Sequence, residues 1–116
     1  MNFRELTRIA REETDALLRE FPPLIRKAVS ETEIFYEPAP SRADRMSGID
    51  PDLLGYFDPG PESAPAPRIR LWLENLWDFS ESDEETFREE VRITLLHEIG
   101  HLLGWDEDEV ADRGLG

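Results

Sequence analysis

The chain has only two histidines, His97 and His101, standing four residues apart in HEIGH with Glu98 directly after the first. Four residues is just over one helical turn, so on a helix the two imidazoles project along nearly one line. Two imidazoles so placed can ligate one metal ion at about 2.0–2.1 Å. Glu98 is turned about 100° from His97. That is too far to complete a compact three-ligand set, but it suits a general base acting on a metal-activated water. The ion that fits this donor set and chemistry is Zn2+. Two histidines on a helix can also be an ordinary hydrogen-bonded pair. Here the surrounding helix is apolar, where idle imidazoles are costly to accommodate, and the metal reading is preferred.

With no cysteine and no third histidine, a third protein ligand must be a carboxylate. Gly104 comes three residues after His101, where a helix can end in a left-handed turn that glycine adopts at least cost. The chain can then swing back toward the metal. Asp106, Glu107, Asp108 and Glu109 follow and all compete for the role. Asp106 and Glu109 have the spacing of a capping box opening a short final helix over residues 107–113. With Asp106 engaged as that cap, Glu107 is the preferred ligand, and Asp106 and Asp108 are the alternatives.

The elements that must position these groups read as an α+β pattern. Phe3, Leu6, Ile9, Ala10, Leu17 and Leu18 lie at helical spacing over residues 3–20, before the Pro22-Pro23 stop. A short helix is expected over 24–30 and a strand over 32–36 (TEIFY). Residues 37–67 are rich in proline and read as loop, with a short strand over 53–57 (LLGYF) inside it. Residues 68–74 alternate, Ile69, Leu71 and Leu73 on one face and Arg70 and Trp72 on the other, as a half-buried strand does. The longest helix runs from Ser82 or Asp83, either able to N-cap it, to Leu103. Phe87, Val91, Leu95, Ile99 and Leu102 form its apolar stripe, and His97 and His101 lie beside Thr94 at the edge of that stripe.

Composition bounds what such a site can serve. At 116 residues the chain is expected to form one domain, residues 1–116. Thirteen basic against 27 acidic side chains give a formal charge of −14. That balance disfavours nucleic acid and anionic membranes, whose recognition rests on clustered lysine and arginine. The charged N-terminus has no apolar core of a signal peptide, and no apolar run approaches membrane-spanning length. The expected setting is the cytoplasm.

EEVRITLLHEIGHLLGWDEDEV, preceded by the RIRLWLE strand, resembles the small bacterial zincin-like metallopeptidases over most of the chain from about Thr32 onward. The resemblance implies a minimal zincin fold, a small sheet packed on the motif helix. It also implies His97 and His101 as zinc ligands, Glu98 as catalytic base and an acidic third ligand. That third ligand is often aspartate, where this sequence has Glu107. The methionine turn of the large metzincins has no counterpart here, because Met1 and Met46 both precede the helix.

The activity these readings favour is zinc-dependent hydrolysis of peptide bonds in peptide or protein substrates. The alternative is a metal-binding module without proteolysis. In zincins generally an edge strand above the motif helix holds extended peptide by strand addition. Residues 68–74 are the candidate, with Arg70 and Trp72 facing the cleft as substrate-binding residues. Tyr36, Tyr56 and Arg70 are candidate donors to a transition-state oxyanion, and the loop over 55–61 is a candidate border of the site.

Overall fold

Asn2 opens the first helix, its side chain accepting the Glu5 backbone N–H at 2.9 Å and so satisfying a donor the helix leaves unpaired. The structure, a computed structural model, describes residues 1–104. α1 (Phe3–Glu20) buries Leu6, Ile9, Ala10 and Leu17 and stops at Phe21, ahead of the two prolines. α2 (Pro23–Ser30) begins one residue earlier than its sequence pattern suggests, because proline suits the first turn of a helix. β1 (Glu33–Glu37) follows, then α3 (Arg42–Met46), β2 (Gly55–Asp58), β3 (Arg68–Trp72), α4 (Leu73–Phe79) and α5 (Glu84–Leu102). Among the described residues five helices and a three-stranded mixed sheet confirm the α+β class.

Two helices were not legible in the sequence. α3 sits in the proline-rich stretch and is held by a reciprocal capping box between Ser41 and Asp44. α4 begins where β3 ends, so the expected strand over 68–74 stops at Trp72. Leu73 and Leu76, three apart on α4, are both fully buried. They continue the apolar face of the strand at helical spacing, and strand alternation alone could not reveal the change of period.

β3 is the central strand, with β1 parallel on one side and β2 antiparallel on the other. The expectation of β3 as an edge strand is therefore corrected. The edge of the sheet that meets α5 is β2. Register fixes the two faces of the sheet. Ile34 and Phe57 flank Ile69, and Tyr36 and Gly55 flank Leu71, on the face that packs against the helices. The core lies there, closed by Leu6 and Ile9 of α1, Leu76 of α4 and Phe87, Val91 and Leu95 of α5.

The opposite face carries Phe35, Tyr56, Arg70 and Trp72. Arg70 is locked there by paired bonds to both oxygens of Glu37 (2.9 and 2.8 Å) and of Asp44 (2.9 and 2.6 Å). It also lies over the Trp72 ring. The cluster joins β1, β3 and α3, which ties the proline-rich segment to the sheet. The Arg70 guanidinium holds the Asp44 carboxyl well below the usual carboxylate range. A carboxyl depressed in the folded state adds stability that is present above its unfolded value of about 3.9 and is lost as pH falls through the folded value. Arg70→Met, which leaves two carboxylates facing each other, is expected to lower unfolding free energy by about 2–3 kcal/mol at neutral pH, less than for a fully buried pair. The gap from the unaltered protein should hold from pH 8 to 5 and shrink below pH 4. Urea unfolding followed by tryptophan fluorescence measures it; a gap that grows in acid would refute the assignment.

Candidate metal centre

The helix that bears the motif is fixed from three sides. Asp83 caps it, its carboxylate accepting the Thr86 backbone N–H at 2.9 Å and the Thr86 hydroxyl at 2.7 Å. Phe87, Val91, Leu95 and Ile99 are buried along its inner stripe, as the sequence spacing indicated. On a second face Arg88 and Arg92 pair with Glu12 and Glu20 of α1. These exposed ion pairs contribute little energy each, but both tie α5 to one neighbour. Leu103 caps the C-terminal end, and Gly104 follows in the left-handed region at φ +84°. This is the turn expected of a glycine at that position.

The third face turns toward β2. A Cβ on Gly55 would lie 2.6 Å from Thr94 Cγ2, so only a glycine lets the strand approach the helix one turn before His97. Just beyond that contact the Nε2 atoms of His97 and His101 come within 3.2 Å, the two rings 82° apart. Glu98 is buried, 7% exposed, between two half-buried histidines. A ligating atom from each of the three lies within 4.8 Å of the others.

This geometry can be tested against the needs of zinc. Two nitrogens each about 2.05 Å from an ion at the tetrahedral angle are about 3.3 Å apart. The observed 3.2 Å between the Nε2 atoms matches that edge. Two imidazoles and a carboxylate are also the nitrogen and oxygen donors zinc accepts. The histidine pair therefore fits a shared ion, with Glu98 close enough to act beside it. Glu107 and its rivals Asp106 and Asp108, with the short helix expected over 107–113, lie outside the described residues.

A cavity of about 270 Å³ opens beside His97 and Glu98, walled by Leu53, Leu54, Phe79 and Ile93, with Gly55 and Thr94 at its floor and Glu90 further along α5. Of the loop expected over 55–61 to border the site, residues 55–58 form β2, and of these seven residues Gly55 lines the cavity. The sequence reading missed the other walls. One signal for them was present: Ile93 stands off the Phe87–Val91–Leu95–Ile99 stripe and is exposed. Phe79 gave none, because α4 was not foreseen.

Arg70 and Trp72 are not brought to the histidines. Strand alternation sends Ile69 and Leu71 toward the helices and Arg70 and Trp72 to the far side of the sheet. There Arg70 is held by Glu37 and Asp44, and Trp72 is fully buried against Tyr56 and Arg70. The placement in the cleft expected of these two residues is thus corrected. Nor do the tyrosines join the site. Tyr36 donates its hydroxyl to Thr14 on α1, and burial pushes that phenol up. Tyr56 stacks on Trp72 across the sheet from α5.

Paired histidines and an intervening glutamate on a helix beneath a small mixed sheet define a zincin-type α+β protein. The family model of the zincin-like metallopeptidases matches residues 29–115, three quarters of the sequence, and the chain belongs to that family. No curated protein matches the chain closely enough to count as a relative. Among the described residues no helix is long and apolar enough to cross a membrane.

Proposed function

We propose that the protein is a zinc-dependent peptidase that hydrolyses peptide bonds, with His97 and His101 as metal ligands and Glu98 as general base. The observation that carries this reading is the 3.2 Å convergence of the two Nε2 atoms with a buried carboxylate beside them. Glu107 is the proposed third ligand. When bound, zinc supplies Lewis acidity and lowers the pKa of a coordinated water toward 7. Glu98 accepts the proton of the attacking water as its oxygen bonds to the scissile carbonyl carbon. It then delivers that proton to the amide nitrogen as the C–N bond breaks, leaving a carboxylic acid and an amine. An extended substrate adding to the outer edge of β2 would run past the cavity that His97 and Glu98 line.

The cavity volume supports a second reading. About 270 Å³ lies just below the usual range of roughly 300–1,000 Å³ for ligand sites, which suits a metal-binding module without turnover. Incubating the zinc-loaded protein with an unfolded protein substrate and mapping new termini by mass spectrometry separates the two. Cleavage that stops on chelation and returns with zinc is the expected result. One zinc bound per chain without any new termini would favour the module.

A further inference from the structure

Resting on the peptidase reading, we infer that the cavity beside His97 and Glu98 receives a substrate arginine or lysine side chain next to the scissile bond. Three observations carry this. The cavity is contiguous with the reacting groups, since His97 and Glu98 form part of its wall. Its sides are apolar yet open to solvent: Phe79 is 60%, Ile93 42% and Leu53 36% exposed. Clustered apolar exposure on a chain with 34% charged residues marks a contact surface rather than an accident of folding. The third observation is Glu90, which also lines the cavity, is half-buried, and enters none of the ion pairs among the described residues.

Spacing along α5 orders these groups. Ile93 lies four residues before His97, about 6 Å along the axis, and Glu90 seven residues before it, about 10 Å. A side chain entering beside His97 therefore meets hydrocarbon first and a carboxylate last. Arginine and lysine have that order built in, an apolar stem that packs on hydrocarbon and a charged head that needs a partner. A leucine or phenylalanine would satisfy the walls but leave Glu90 desolvated without compensation, which costs free energy. The charge of −14 adds a long-range pull on cationic substrates.

The test uses zinc-loaded Glu98→Gln protein, so that binding is read without turnover. Fluorescence anisotropy follows labelled Ala/Ser/Gly decapeptides that differ only at one central residue: arginine, its neutral isostere citrulline, or norleucine. The arginine peptide is expected to bind about tenfold or more tightly than the citrulline peptide. Adding Glu90→Gln should bring that ratio close to one. Equal binding of arginine and citrulline, tightest binding of norleucine, or a ratio untouched by Glu90→Gln would overturn the inference. Selective binding with no cleavage by the unaltered zinc-loaded protein would keep the pocket and defeat the peptidase reading. Cleavage with no preference for a flanking arginine or lysine would keep the peptidase and defeat the pocket.

Discussion

Glu98→Gln is expected to lower kcat/KM for peptide hydrolysis by about 10²–10⁴-fold while the protein still binds one zinc per chain. Glutamine matches glutamate in size and keeps a carbonyl oxygen for hydrogen bonding, so a residue only 7% exposed can be exchanged with little disturbance of packing. What the amide loses is the ability to take a proton at neutral pH. The two readouts together separate the roles a carboxylate near two histidines can play. If Glu98 were a metal ligand, zinc affinity would fall with activity. If it were only a packed side chain, neither would change much. Activity within a few-fold of the unaltered protein, at full zinc content, would refute its assignment as general base. Thermal unfolding of both proteins with zinc bound checks that the comparison is between folded states.

Why Glu98 and the histidines were legible, and the rest of the cavity was not, follows from the range of the interactions. Residues 97, 98 and 101 are placed by one helix, and helical periodicity converts their spacing directly into geometry. The same holds for the Asp83 cap, the Phe87–Ile99 stripe and the Gly104 turn, each decided within a few residues. Strand alternation likewise gave the two faces of β3, and Arg70 and Trp72 do share one. Which face meets the motif helix is a different matter. It depends on β3 lying between β1 and β2, and on Gly55 admitting Thr94, contacts between residues 10 to 39 positions apart. No local pattern encodes that choice. The placement of Arg70 in the cleft failed at this step, although its charge and position had suggested a functional role. Its two carboxylate partners, Glu37 and Asp44, are themselves 33 and 26 residues away.

The Phe79 wall was hidden for a related reason. Leu73 completes an alternating pattern with Ile69 and Leu71, and the change from strand to helix leaves that pattern intact through one more residue. Only the burial of both Leu73 and Leu76 distinguishes the helix. Phe79 lies at the end of α4 and lines the cavity together with Ile93. The wall of the cavity therefore depends on an element whose sequence reads as the end of a strand.

His97→Ala and His101→Ala should each weaken zinc binding by more than about 100-fold. Zinc sites of four ligands bind with roughly 10–16 kcal/mol, so one ligand accounts for about 3 kcal/mol when the energy is shared evenly, and 1.4 kcal/mol is a factor of ten. The loss is expected to be similar at both positions, because the 3.2 Å Nε2 pair serves as one tetrahedral edge and neither atom supplies it alone. Competition against a zinc-responsive dye measures the affinity directly. Thermal unfolding gives an independent reading, since a ligand that binds only the folded state raises its stability with the logarithm of one plus the ratio of ligand concentration to Kd. Zinc should raise the melting temperature of the unaltered protein and of Glu98→Gln, and raise it far less in either alanine variant. A pair of histidines present only for mutual packing gives the opposite pattern. Alanine would then lower the metal-free melting temperature, and added zinc would move none of the three proteins. Retention of full zinc affinity by either single variant would remove that histidine from the metal centre.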